Sequence, residues 1–259
     1  MAKDANIVIP AGRVYFNPKK TDGSGDYEGL RYFAQTTGFA ITASSENLTV
    51  DDSDGAIAER IRDIPIRVTR SGRMTGRDIS PDNVALFIVG GVSDVTQDGT
   101  PVADEAIAVQ PGRFYQLGAS AANPGGVRNV SAVDVQDETD TTTYVEGSDY
   151  VVHAEIGLLE ILEGGTISEE TLHVDYTPAS ETRSRVASHN DAPREGELRF
   201  FADNTDGDAS DVFIPAVRLT PDGELALKGR DNPVEMAFAI SVQKRDGFEQ
   251  VYVDGRAAG

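Results

Sequence analysis

Alternation of apolar and polar residues in two stretches, separated by an acidic segment, is the feature that constrains this chain most. In the first stretch the apolar positions are Phe39, Ile41 and Ala43. In the second they are Ile64, Ile66 and Val68. A period of two is typical of a β-strand with one buried face. Asp and Gly are poor strand formers, so the acidic segment is predicted to form a long loop over residues 49–63.

A short helix is predicted directly after the second strand. Ser80 is suited to cap it, and Pro81 to occupy its first position, where a missing N–H costs nothing. Asp82 places negative charge at the positive end of the helix dipole. Gly90 and Gly91 mark its end. The residues predicted to pack the helix against the sheet are Val84, Leu86, Phe87 and Ile88.

The same order of motifs resembles the N-terminal half of the major tail tube proteins of long non-contractile-tailed bacteriophages. The matching residues are Gly38-Phe39 with Thr42 to Glu46, the Asp-rich segment to Gly55, Thr69-Arg70-Ser71-Gly72, and Asp78 to Asn83 running into Ala85-Leu86-Phe87. Residues 219–229, the Phe238 strand and Lys244 to Gly247 resemble the C-terminal half of that family. The resemblance therefore covers both ends of the chain.

Fold and function expectations follow from this resemblance. It implies an all-β, mainly antiparallel protein, with a tail-tube-type orthogonal β-sandwich or half-barrel and one flanking α-helix. It also implies hexameric rings that stack into a tube, whose negatively charged lumen conducts DNA into the host without binding it specifically. The implied partners are further copies of the chain, a tape measure protein in the lumen, and the tail terminator and baseplate or tail-tip proteins. The expected location is the virion, after assembly in the host cytoplasm.

The chain is predicted to divide into three segments. Residues 1–97 and 191–259 are the N-terminal and C-terminal halves of the tail-tube core. Residues 98–190 contain several short strand patterns with Gly-rich turns, including a hairpin turned near Gly157. They are predicted to form a β-meander, either as an insertion that elaborates the tube sheet or as a subdomain.

Composition excludes several classes of function. The net charge is −20, which argues against a basic surface for nucleic acid or for an anionic membrane. Cysteine is absent, so neither disulfides nor thiolate metal sites exist. The N-terminus lacks the apolar run of a signal peptide, and no stretch approaches the length of a membrane span.

Motifs for catalysis, cofactors and metals are also missing. No H-E-x-x-H, G-x-S-x-G or phosphate-binding Gly motif occurs, so no enzyme activity and no cofactor are expected. The three histidines, His153, His173 and His189, show no paired metal spacing. The acidic stretches 51–55 and 203–208 do not keep the EF-hand order and are interpreted as solvated loops, without a metal.

Two sets of residues are predicted to serve assembly. A loop as long as 49–63 is uncommon between strands unless it is functional, and the resemblance implies contacts between stacked rings. The contact residues are Val50, Asp51, Asp52, Asp54, Ile57, Glu59, Arg60 and Ile61. In a ring, the strand face opposite the core points into the channel. The predicted lumen-facing residues are Thr42, Ser44, Glu46, Thr69, Ser71, Ala239, Ser241 and Gln243.

An alternative function is a carbohydrate- or receptor-binding β-sandwich module. Such modules place aromatic side chains on an exposed face. Aromatic content is 7%, Trp is absent, and most aromatic residues fall at positions predicted to face the core. These features favour the tail tube interpretation.

Overall fold

The computed structural model describes residues 6–54, 56–188 and 194–256. Strands make up 54% and helical segments 4%, and the strand pairing is mainly antiparallel. The predicted all-β class with one α-helix is therefore confirmed. Among the described residues, no helix is long and apolar enough to cross a membrane.

The chain forms two compact units. Unit 1 comprises Met1–Ser93 and Val186–Gly259, and unit 2 comprises Asp94–Arg185. The boundaries fall inside two strands that pair with each other, β5 (Gly90–Gln97) and β12 (Glu181–Ser188).

Unit 1 is built on one eight-stranded sheet. Its order is β2-β1-β13-β14-β15-β4-β3, with β16 paired to β14. The strands are β1 (Gly12–Pro18), β2 (Arg31–Phe33), β3 (Thr36–Asp51), β4 (Arg60–Gly76), β13 (Glu195–Ala202), β14 (Ser210–Pro221), β15 (Met236–Val242) and β16 (Tyr252–Gly255).

Contacts across the core show that this sheet curls upon itself. Phe33 in β2 meets Phe238 in β15 with ring centroids 5.6 Å apart. Phe39 in β3 meets Phe200 in β13 at the same distance. Each pair lies four strands apart, which is about 19 Å in a flat sheet. The sheet therefore wraps around one core, as expected of the half-barrel.

Helix α1 (Pro81–Phe87) lies against this core. Val84, Leu86 and Phe87 pack on it as predicted, and the Phe87 ring meets Phe238 edge-on at 5.8 Å. Ile88 does not belong to that cluster, because the helix ends before it and Val89 takes a left-handed backbone conformation, φ 52°.

The predicted cap is wrong in its chemistry. Ser80 precedes the helix, but its hydroxyl donates to Asp78 Oδ2 at 3.3 Å and accepts no first-turn N–H. Asn83, which is buried, instead ties the helix to the preceding loop by donating to the Asp78 carbonyl at 3.0 Å and its carboxylate at 3.1 Å.

Unit 2 contains two three-stranded sheets around its own core. Their orders are β6-β11-β8 and β7-β10-β9, so most neighbours are not consecutive in sequence and the predicted meander order is not found. The predicted hairpin at Gly157 joins β9 to β10. The strands are β6 (Val102–Val109), β7 (Phe114–Gln116), β8 (Val130–Asp137), β9 (Tyr150–His153), β10 (Leu158–Ile161) and β11 (Glu170–Pro178).

Candidate functional site

The β3–β4 hairpin extends beyond the sheet of unit 1 as a two-stranded arm. Strand β15 pairs with β4 only as far as Ser71, so the earlier residues of β4 pair with β3 alone. We define the arm as residues 43–70. Its paired strands are about 30 Å long at the usual rise per residue.

The predicted 49–63 loop is shorter than the sequence suggested. Val50 and Asp51 continue β3, while Arg60 and Ile61 begin β4, so the connection covers residues 52–59. Asp52, Asp54, Ile57 and Glu59 lie in that connection, and the Asp52 N–H donates to the Glu59 carbonyl at 2.7 Å. Gly55 lies outside the described residues.

The arm exposes apolar side chains that the sequence pattern assigned to a buried face. Every described arm residue is exposed except Asp52 and Arg70, which are half-buried. Ile57 is 84% exposed, and six more aliphatic side chains are between 40% and 62% exposed: Leu48, Val50, Ile61, Ile64, Ile66 and Val68. A two-stranded hairpin is marginally stable alone in water, and contiguous apolar surface usually marks an interaction site.

An irregularity in the pairing explains why simple alternation misassigned the faces. Glu46 pairs with Arg67, but Asn47 pairs with Pro65, so one extra residue of β4 sits between them. Past this bulge Leu48 pairs with Ile64, and directly paired residues share a face. Ile64 therefore lies on the opposite face of the arm from Val68.

The predicted lumen-facing residues lie together on the sheet face opposite the core. Thr42, Ser71 and Ser241 form one row across β3, β4 and β15. Ser44 pairs with Thr69, and Ala239 pairs with Arg73. Gln243 follows the end of β15 in the same phase, with its N–H donating to the Ala216 carbonyl at 2.9 Å. The sequence thus placed these small and polar residues on one surface.

Arginines balance the acidic side chains on that face. Glu46 pairs with Arg67 at 3.4 Å. Three further ion pairs join Asp222 to Arg73 at 2.7 Å, Glu195 to Arg218 at 2.6 Å, and Glu197 to Arg245 at 3.3 Å. Arg67, Arg218 and Arg245, which share the strand phase of this face, are therefore each paired with an acidic residue.

The negative charge of the chain is concentrated in unit 2. Its sequence contains seventeen Asp and Glu residues against four Arg and no Lys, so it carries −13 of the net −20. Overall charge is therefore no guide to the potential at the polar face of unit 1.

A cross-strand row of aromatic and arginine side chains lies on the same outward face of unit 1. Five directly paired positions on β2, β1, β13, β14 and β16 form it: Tyr32, Tyr15, Arg199, Phe213 and Tyr252. The Arg199 guanidinium lies 4.1 Å from the centre of the Phe213 ring, and Phe201 meets Tyr15 edge-on at 5.5 Å. Sequence reasoning missed this aromatic row, because its members come from five separate strands.

Among the described residues, one group of three side chains has the donor types of a metal site. It consists of Asp104, Asp140 and His173 in unit 2. His173 Nδ1 and Asp140 Oδ1 already form a 2.7 Å hydrogen bond, which raises the pKa of His173. His153 pairs with Glu160 at 2.9 Å, and His189 lies outside the described residues.

Open concave surfaces in unit 1 are lined by paired charges. One cavity of about 280 Å³ lies beside α1, where Arg31 pairs with Asp82 at 3.4 Å and Arg194 pairs with Glu28. These ion pairs connect the strands and loops around the helix. We therefore interpret the cavity lining as structural.

A buried carboxylate makes unit 2 sensitive to acid. Asp149 is 6% exposed and accepts hydrogen bonds from the Val145 N–H, the Thr166 N–H and the Thr166 hydroxyl at 2.8–2.9 Å. These bonds, the one from Val145 foremost, lower the pKa of Asp149 below its ordinary 3.8. Its stabilising contribution is fully present above pH 3.8 and is lost as the pH falls through the lower folded value.

We therefore expect Asp149→Asn to lower the melting temperature of unit 2 at pH 7 and to flatten its fall as the pH drops below about 3.8, since the titrating group is gone. Thermal melts followed by circular dichroism across this range measure the effect. Glu163→Gln, which changes an exposed carboxylate of the same unit, is the matched control. An unchanged pH profile in Asp149→Asn would contradict the assignment.

Comparison with known proteins places the chain in a family. A search of curated proteins gave no match. Residues 7–243 match the family described as "Protein of unknown function UCP028589". This match spans nearly all of unit 1 and the whole of unit 2. The chain is therefore a member of the family UCP028589.

Proposed function

We propose that this chain is a structural virion protein, the tail tube subunit of a phage with a long non-contractile tail. Six copies form a ring, and stacked rings form a tube through which DNA passes into the host. The observation that carries the proposal is the arm, because a two-stranded hairpin with exposed Leu, Ile and Val side chains needs a partner surface.

Strand edges support assembly between copies. Strand β3 ends the sheet of unit 1 and pairs only with β4 among the described residues, so its other edge, sixteen residues long, is free. A long free edge is a template for pairing with another chain, and closing sheets into a ring removes such edges. The order of motifs that resembles tail tube proteins includes this hairpin and the helix after it.

The polar face supports a role as the channel wall. Its Thr, Ser and Ala side chains are small, and the four ion pairs bring its charge close to neutral within one chain. On the part of the face formed by β3, β4 and β15, Arg67 and Arg73 are already paired with carboxylates, so this wall attracts phosphate weakly and DNA slides past it. We expect low affinity to arise from this pairing of charges more than from the negative wall that the resemblance implies. The tape measure protein occupies the channel before ejection, and terminator and tail-tip proteins close the ends.

Negative-stain electron microscopy of the purified chain tests the proposal. We expect rings or hollow tubes. The alternative, a carbohydrate- or receptor-binding module, gains one favourable observation in the aromatic row, and it predicts single particles that bind an oligosaccharide. Dispersed single particles at every protein concentration tested would contradict the tail tube proposal.

A further inference from the structure

We propose that the aromatic row of one copy receives the tip of the arm of a second copy. The tip is defined as residues 48–64, and the receiving surface is the row together with its neighbours Arg13 and Phe201. This inference rests on the proposed function, since it assigns the partner surface within the assembly.

The receiving surface is apolar and carries cations that are not fully paired. Tyr32 is 46% exposed and Phe201 37%. Arg13 pairs directly with Phe201 and makes no ion pair with any described residue. Arg199 reaches Glu197 only at 4.0 Å, and Glu197 is shared with Arg245 and Asn17. Two guanidinium groups are therefore available to carboxylates of a partner.

The arm tip has the complementary chemistry. Leu48, Val50 and Ile64 share one face, because Leu48 pairs with Ile64 and Val50 follows in phase. The tip carries five acidic residues against two arginines, Arg60 and Arg62, and Arg62 pairs directly with Val50 on this face. The acidic residues are Asp51, Asp52, Asp54, Glu59 and Asp63. An apolar surface edged with carboxylates fits an aromatic surface edged with arginines, which gives both burial and orientation.

The occupant must come from another molecule. Within one chain the tip is exposed, so it does not cover the row of its own copy. Asp211 and Asp254 border the same surface, and Asp211 is already paired with Arg256. A second copy supplies apolar area together with carboxylates for Arg13 and Arg199, whereas an oligosaccharide would leave the arm itself uncovered. The structure thus favours a reciprocal use of two exposed surfaces of the same chain.

Cysteine cross-linking tests the contact directly, because the chain contains no cysteine. A Val50→Cys chain is mixed with a Phe201→Cys chain and oxidised after assembly. We expect a disulfide-linked heterodimer as the main product. The control replaces Phe201→Cys with Thr220→Cys, which lies on the same sheet face outside the row, and should give at least tenfold less product.

Charge reversal gives a second test that does not depend on the disulfide. Arg13→Glu with Arg199→Glu should raise the concentration needed for assembly at least tenfold. Adding Asp51→Lys and Asp54→Lys to the same chain should restore assembly, which a merely structural role of the arginines would not allow.

The outcomes separate this inference from the proposed function. Tubes without the Val50–Phe201 cross-link, or tubes unaffected by the arginine reversals, would overturn the inference and leave the tail tube proposal standing. If the cross-link forms but neither rings nor tubes are seen, the tail tube proposal would be overturned and the contact between arm and row would stand. Binding of a linear glucose hexasaccharide to the row, unaffected by assembly, would assign the row to carbohydrate and overturn the inference.

Discussion

A chain in which residues 45–68 are replaced by Asn-Gly should fold as a monomer and form neither rings nor tubes. Ser44 and Thr69 are directly paired, so a two-residue turn of this type closes the shortened hairpin in register. The removed segment contributes nothing to the core cluster of unit 1. We therefore expect its melting temperature to change little while assembly is lost.

Point substitutions make the same test without shortening the chain. Leu48→Thr with Ile64→Thr keeps strand propensity but removes the paired aliphatic face of the arm, and it should weaken assembly strongly. Ser44→Thr, on the polar face, is the matched control and should assemble normally. Sedimentation and negative-stain images measure both. Tubes of ordinary length from the Asn-Gly chain would show that the arm is not an assembly element.

Glu46→Lys should convert the channel from one that releases DNA to one that holds it. The substitution removes the partner of Arg67 and places two cations side by side on every subunit. Tubes should still assemble, because this exposed pair contributes little to stability. Short duplex DNA should then bind at low salt, and its affinity should fall by about 10³-fold or more between about 50 and 200 mM salt for six or more phosphate contacts.

Two controls separate the ion pair from charge alone. Glu46→Arg with Arg67→Glu exchanges the partners, keeps the face neutral and should bind no DNA. Glu163→Lys makes the same charge change at an exposed position of the acidic unit 2 and should also bind none. Fluorescence anisotropy with labelled duplex measures all of these tubes. Equal DNA binding by Glu46→Lys and wild-type tubes would contradict the assignment of this face to the channel wall.

Sequence patterns predicted the parts of the fold that depend on local alternation. Alternation with the neighbouring apolar residues predicted which strand face carries Thr42, Ser71 and Ser241. In the sheet these three residues form one row on that face. The start of the helix at Pro81 followed from residues with strong positional preferences.

The errors arose where distant residues decide the structure. Acidic residues at 51 and beyond suggested a loop, but cross-strand pairing carries β3 through Asp51. A bulge next to Pro65 reversed the faces of the arm; simple alternation does not mark it, although a proline within a strand is typical of a bulge or an edge strand. Burial was overestimated for Ile64 and Val68, because alternation shows that a face is apolar and does not show what covers it.

The aromatic row lay beyond the reach of sequence reasoning for a related reason. Tyr15, Arg199 and Phe213 become neighbours only through the order β1-β13-β14, which joins strands from opposite ends of the chain. Ser80 likewise has the right identity for a cap, but the Asp78 carboxylate takes its hydroxyl.

A cryo-electron microscopy reconstruction of assembled tubes tests the central claim most directly. It should show six subunits in each ring, the arm tip, residues 48–64, buried between copies, and Thr42, Ser44, Ser71 and Ser241 on the channel wall. Particles without a channel, or tubes with these four residues on the outer surface and the arm in solvent, would contradict the account.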